Sequence, residues 1–329
     1  MQTTPQRRTL LALCLATATL IGAHPVQAQD AFPSRPITII VPFAPGGGND
    51  TVSRLIAEPL SAELKQPVIA VNKLGAGGAI GTTQVAKGTP DGYTIVMVNG
   101  SNTTYPEVER LRAVQPAYEL AQLEPLALLT NDPLFLAVRA DAPYKTAVEF
   151  VKAAQAKPNS IDYASSGNLG PVHIAFELLG GAANTSFNQI QYKGVGPALI
   201  AVLGGEVGTI ASNPAALSAH VASGKLRPLA VMSDQRHSLA PEAPTLKELG
   251  WDVQYSLWTG LYATAGTPPA VIQKLRAAIK NAAASTKFIE GIRKAGYSYN
   301  YRDAPEFRKF VDEDAGRVNS LLRKIVKPD

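Results

Sequence analysis

Only one of the 329 residues is a cysteine, Cys14, and it falls in a stretch that reads as an export leader. Disulfides, thiol catalysis and cysteine-ligated metals are therefore excluded from the remainder. Histidine is almost as scarce. Beyond the leader only His173, His220 and His237 occur, without the spacing of a metal site. Charge of one sign is not concentrated anywhere. Lys+Arg number 31 against 26 Asp+Glu, with no basic cluster and no basic-aromatic interleaving, which argues against nucleic acid as a partner. Outside the N-terminus no apolar run is long enough to span a bilayer, so a transport role would need a separate membrane subunit. Nucleotide signatures are missing too. G-x-x-x-x-G-K-[ST] is absent, and Gly75 to Gly81 gives G-x-G-x-x-x-G, one residue off the dinucleotide fingerprint. The chain calls for no cofactor.

What is present begins with that leader. Arg7 and Arg8 form a basic start, Thr9 to Ala23 an apolar core, and Val26-Gln27-Ala28 a small-residue cleavage signal. Cleavage after Ala28 would remove two arginines, leaving 29 basic residues of the 31 against 26 acidic ones. The expected product is an exported, soluble protein whose length suggests two domains.

The mature chain is organised around Ile37 to Asp50. Ile37-Thr38-Ile39-Ile40-Val41 is a buried-strand composition. Pro42-Phe43-Ala44-Pro45-Gly46-Gly47-Gly48 follows as a loop, and Asn49 and Asp50 are good N-caps for a helix carrying Val52, Leu55, Ile56, Leu60 and Leu64. Glycines let the backbone approach a ligand, and a helix N-terminus favours an anion. The device recurs. Val68 to Asn72 reads as a strand, and the loop Gly75-Ala76-Gly77-Gly78-Ala79-Ile80-Gly81 leads into a helix. After the turn Pro90-Asp91-Gly92, a third strand ends near Val98 in a polar loop, Asn99 to Thr104, containing Ser101. Strands alternating with helices predict a parallel α/β sheet, with ligands beyond the carboxyl ends of its strands.

A second run of β-loop-α units follows. A strand at 161–164 leads to Ser165-Ser166-Gly167, with Pro171 suited to the first turn of a helix. Asn188 to Gln191 leads to Tyr192-Lys193-Gly194, and a strand from Val207 to Ala211 leads to Ser212-Asn213-Pro214. Strands are expected at 226–232 and 256–264, then helices at 269–284, 287–295 and 305–324, the last amphipathic. Residues 105–124 carry little pattern.

Together these motifs resemble the Bug-type receptors, the extracytoplasmic solute-binding proteins of tripartite tricarboxylate transporters. The matching pieces include Arg35-Pro36-Ile37 to Asp50, Gly75 to Gly81, Pro90 to Thr94, Tyr163-Ala164-Ser165, Tyr192-Lys193-Gly194, Gly224 to Val231, Trp258-Thr259-Gly260-Leu261 and Ala265 to Pro268. The chain departs from the family pattern at Gly170, where serine is usual, and at Gln191, where proline is usual. The resemblance implies an α/β class II periplasmic-binding-protein fold: two lobes, a hinge and a ligand cleft. Lobe one would cover residues 29–128 plus 252–329 and lobe two residues 129–251, after a leader at 1–28. It also implies a periplasmic monomer that takes a small carboxylate and delivers it to integral-membrane permease subunits. The same fold could serve a sensor for a signalling partner.

The ligand would touch Phe43, Ala44, Pro45, Gly46, Gly47, Gly78 and Ala79, with the N–H groups of the non-proline positions as donors. Asp50 would cap that loop, and Ser101, Ser165, Ser166, Gly167, Tyr192 and Asn213 would complete the site. A secreted hydrolase is the competing class. Ser165, Ser166, His173 and Glu177 supply the residue types, but no G-x-S-x-G elbow holds them. The expectation is a binding protein and not an enzyme.

Overall fold

Ile37, Ile39, Ile40 and Val41 have almost no exposed surface. Such burial stabilises the fold by roughly 1.5–3 kcal/mol per side chain. The computed structural model describes residues 32–326, so the leader and its cleavage site lie outside the described residues. Strand β1 (Ile37–Val41) pairs in parallel with β2 (Val68–Asn72) on one side and β3 (Thr94–Val98) on the other. The crossovers are helices α1 (Gly48–Leu64) and α2 (Ala79–Ala86), the second preceded by a 3-10 turn at Ala76–Gly78.

The other half of this sheet is antiparallel. β10 (Ser256–Thr264) pairs with β3, β4 (Leu123–Pro133) with β10, and β11 (Tyr299–Asp303) with β4. β4 carries the chain out to a second lobe and β10 brings it back, so the two must run in opposite directions. The resulting order is β11-β4-β10-β3-β1-β2. The carboxyl ends of β1, β3 and β4 and the start of β10 thus share one edge.

Helix α3 (Gly100–Leu111) occupies the stretch that reads as a polar loop followed by unpatterned sequence. Asn99 makes it possible. Its side chain accepts the Ser101 N–H, and Asn102 reciprocates at the Asn99 N–H. Pro106 has no N–H for the carbonyl four residues back. The hydroxyl of buried Tyr118 donates to that carbonyl, on Asn102, instead.

The second lobe contains β5 (Phe135–Arg139), β6 (Asp162–Ser165), β7 (Asn188–Gln191), β8 (Thr209–Ser212) and β9 (Leu226–Val231). They form an antiparallel sheet β8-β5-β9 and a parallel pair β6-β7. Its helices are α4 (Ala147–Ala156), α5 (Pro171–Ala183), α6 (Val195–Gly204) and α7 (Pro214–Ala222). Phe150, Tyr163, Phe176 and Phe187 stack into its aromatic core. Helices α8 (Pro269–Ala284), α9 (Thr286–Lys294) and α10 (Ala304–Ile325) complete the first lobe, α10 burying Phe307, Val311, Val318 and Leu322.

Two crossings connect the lobes and are stitched together. Leu134 N–H donates to Tyr255 O, Tyr255 N–H to Met232 O, and Met232 N–H to Leu134 O. The lobes also meet away from these crossings. Ile174 of α5 packs with Val318 and Leu322 of α10, and Gly296 lies so close to Ala215 that a Cβ there would stand 3.1 Å from the Ala215 Cα.

Candidate functional site

Between these contacts lies a cavity of about 530 Å³, a size typical of small-molecule sites. Five helices begin at it. From the first lobe come the starts of α1 (Gly47, Gly48, Asn49) and α3 (Asn99, Gly100, Ser101). From the second come those of α5 (Pro171), α6 (Val195) and α7 (Asn213, Ala215, Ala216). First-turn N–H groups have no carbonyl inside their own helix, and the dipole adds positive potential. Four of the five starts also lack a side-chain cap: Gly47, Gly170, Gly194 and Asn213 stand at the N-cap positions without making one. The rest of the wall comes from the ends of β4 (Thr130, Asp132) and β10 (Tyr255 to Thr259), with Ala295 and Tyr297. Among the described residues no Lys, Arg or His lines it.

A buried polar network fixes the first-lobe edge. Asn49 donates to Met97 O and accepts from Asn99 Nδ2, both at 3.3 Å. Asn102 Nδ2 donates to Thr82 Oγ1 at 2.9 Å, and the Thr82 hydroxyl to Gly78 O at 2.9 Å. Close packing explains two glycines here. A Cβ on Gly48 would lie 3.3 Å from the Tyr297 hydroxyl, and one on Gly100 3.4 Å from Trp258 Nε1. Asp132, 1 % exposed, accepts the Ser298 N–H at 2.6 Å. Burial without a cationic partner pushes its carboxyl up to about 6.

Of the residues singled out from the sequence, Gly47, Ser101 and Asn213 line this cavity. The others do not. Ala44, Pro45 and Gly46 form an exposed bend. Its N–H groups turn inward, Gly46 to Asp50 Oδ2 at 2.9 Å and Gly47 to Ala44 O at 3.3 Å. Phe43 packs behind the bend on Gly78, where a Cβ would meet its ring at 3.0 Å and Asn102 Nδ2 at 2.8 Å; Ala79 is buried beside it. Helix α1 starts earlier than Asn49 and Asp50 suggest, with Gly47 at its N-cap, so Asp50 sits inside the first turn. Its carboxylate reaches back to Gly46 and also accepts from Arg54 Nε and Asn72 Nδ2. The Arg54 hydrogen bond is the main reason its carboxyl falls to about 2.

In the second lobe, the Ser165 hydroxyl donates to Gly167 O and accepts from Gly167 N–H and Gln189 Nε2. Ser166 Oγ is buried without a partner. Tyr192 packs against the second-lobe core, and its hydroxyl faces Glu206. His173 accepts the Leu169 N–H at Nδ1 and faces Glu177 at 3.5 Å from Nε2. Sequence reasoning missed Asp132, Tyr297 and the β10 start. The signal for Asp132 was Asn131-Asp132-Pro133, which reads only as a break in an extended run. Among the described residues no group of three His, Cys, Asp or Glu stands where a metal could be held, and no helix is long and apolar enough to cross a membrane.

The profile of the tripartite tricarboxylate transporter family receptors matches residues 52–326. BugT of Bordetella pertussis is 32% identical over 316 residues, covering 96% of each chain. Among solved structures, a TctC solute-binding protein from Polaromonas superposes with a TM-score of 0.79 at 34% identity, over 89% of this chain and 100% of that one. MatC from Rhodopseudomonas palustris with bound malate gives 0.73 at 29% identity, over 88% and 100%. Rpa4515 of the same organism with adipate gives 0.74 at 25%, over 91% and 100%.

Proposed function

We propose that this chain, which belongs to the tripartite tricarboxylate transporter receptor family, is a periplasmic receptor that captures a small carboxylate between its lobes and hands it to an integral-membrane permease. The observation that carries this reading is the convergence of five helix N-termini on one cavity lined by no basic side chain. Each such terminus is worth about 0.3–1 kcal/mol toward an anion, and up to ~2 where partly buried. Charge-assisted bonds from free N–H groups add to this and offset the desolvation of a carboxylate. The malate and adipate held by the two Rhodopseudomonas proteins are ligands of the same chemistry.

In this reading the leader at 1–28 is removed, lobe one covers 29–128 plus 252–329, lobe two covers 129–251, and the receptor acts as a monomer without a cofactor. It turns nothing over. Ser165 is committed to its own loop and His173 to Leu169 and Glu177, so neither offers a poised nucleophile-base pair.

A thermal-shift panel of mono-, di- and tricarboxylates, amino acids and aromatic acids tests the proposal. A ligand at ~100 times its Kd adds ~2.7 kcal/mol of stability. A panel in which no carboxylate raises Tm would sink it.

A further inference from the structure

The cavity wall carries one charged side chain, and its sign is wrong for a receptor of simple anions. Asp132 stands where β4 leaves the first lobe, almost fully buried and lining the cavity. No cation accompanies it. The Ser298 backbone N–H holds its Oδ1 at 2.6 Å, and among the described residues no ion pair reaches it. A carboxylate-only solute would bring a second negative charge into the same cavity, where low dielectric strengthens the repulsion. The second-lobe wall is built the other way. The starts of α5, α6 and α7 are uncapped, and the Asn213 amide there is 8 % exposed and makes no hydrogen bond within the chain. The cavity therefore presents an acceptor at Asp132 and donors at the second-lobe helix starts.

We infer that the solute is zwitterionic, an amino-carboxylate whose carboxylate lies toward Asn213 and the helix starts and whose ammonium faces Asp132. Asp132 is then the specificity-determining residue. This deepens the receptor reading and rests on it. A buried carboxylate without a countercharge is an unfavourable arrangement, as its raised pKa reflects. An ammonium supplies the missing countercharge, whereas a hydroxyl supplies only a hydrogen bond and a hydrocarbon supplies neither.

Calorimetry near neutral pH on matched triplets decides the matter: an amino acid, its 2-hydroxy analogue and the parent acid with neither group, for small, acidic and aromatic side chains. In at least one triplet the amine should bind tenfold or more tighter than both analogues. Asp132→Asn should erase that preference and leave the parent acid bound equally well or better. A hydroxy or parent acid that matches the amine throughout, or a preference that survives Asp132→Asn, overturns the inference while the receptor reading stands. The wild-type triplets decide it even if the variant does not fold. If nothing in any triplet binds, and malate and adipate do not bind either, the receptor reading fails and the inference with it.

Discussion

The two edges of the cavity are built on opposite plans. On the first-lobe edge a network of side chains is already satisfied. Asn49, Asn99, Asn102 and Thr82 bond one another and the backbone, and Asp50, Arg54 and Asn72 tie the Phe43–Gly46 bend to α1. On the second-lobe edge Asn213 makes no side-chain hydrogen bond, and behind it in the same lobe Ser166 Oγ and Ser212 Oγ are buried without partners. Helices that start away from the cavity more often have caps: Thr146 caps α4, Ser285 α9 and Asp303 α10. Satisfied networks hold geometry, while open donors next to a cavity remain available to a ligand. The first lobe sets a bonded network beside its two helix starts, and the second supplies further groups that a solute completes.

The most disruptive test of that contrast is Asn102→Ala. It strands the part-buried Asn99 N–H and takes the donor away from buried Thr82 Oγ1, whose own hydroxyl still donates to Gly78 O, and each such loss costs about 1–3 kcal/mol. A loss of about 3 kcal/mol or more in urea unfolding is expected. A loss below about 1 kcal/mol would mean that the network is ornamental.

Asp132, between the two edges, gives the next largest effect. Its folded pKa of about 6 lies above the ordinary carboxyl value of 3.8, so the folded state holds the proton more tightly than the unfolded one. Its contribution is full below pH 4 and is lost as pH rises through 6, by at most about 3 kcal/mol. Tyr297, which feels the Asp132 charge, stays neutral across that range because burial raises its pKa. Subtracting the stability-pH curve of Asp132→Asn from that of wild type isolates the effect. A flat difference between pH 4 and 8 would contradict it.

Much of the frame behind these groups was legible in the sequence, because it rests on local pattern. β1, β7, β10 and α8 occupy the stretches their composition marks, and the rule that ligands sit beyond strand carboxyl ends led to the edge where Gly47, Ser101 and Asn213 line the cavity. What escaped was long-range or cap-dependent. Asp132 meets Ser298 across 166 positions, and no local motif announces that. α3 begins Gly-Ser-Asn-Thr-Thr, poor helix formers, and exists because Asn99 caps it and Tyr118 satisfies the carbonyl Pro106 leaves open. β11 is Tyr-Asn-Tyr-Arg-Asp, half-exposed throughout, so it lacks the apolar alternation of a strand. The first glycine loop misled in a different way. Its composition suggests free N–H groups, but Asp50 and Ala44 already take those of Gly46 and Gly47.

A third test separates binding from folding on the open side. Asn213→Ala removes an amide that bonds nothing in the chain, so stability should change by less than about 0.5 kcal/mol. Affinity for the preferred carboxylate should fall about tenfold, or ~1.4 kcal/mol. Thr146→Ala at a capped helix far from the cavity should do the reverse, costing about 1 kcal/mol of stability and leaving affinity alone. Equal effects of both on affinity would erase the distinction between the edges.

The smallest expected effect concerns the arginines near the first loop. Arg54 pairs with Asp50 at i,i+4 and donates to Asn72, and more than half of its side chain is exposed. Arg35 bonds Asp91 at 2.9 Å on the surface and lies 3.8 Å over the Tyr93 ring. Neither lines the cavity. Exposed ion pairs contribute about 0–1 kcal/mol to stability. Asp50 also keeps its donors Gly46 and Asn72 when Arg54 is neutralised. Arg35→Gln and Arg54→Gln should therefore shift Kd by threefold or less, under ~1 kcal/mol. Arg54→Gln should in addition raise the Asp50 pKa, so that its stabilising contribution, present above about pH 4, disappears at a higher pH on acidification than in wild type. Calorimetry on the two variants checks the first expectation and acid unfolding the second. Should either substitution abolish binding while Asn213→Ala leaves it intact, an arginine clamp on the first lobe holds the carboxylate and the helix starts of the second do not.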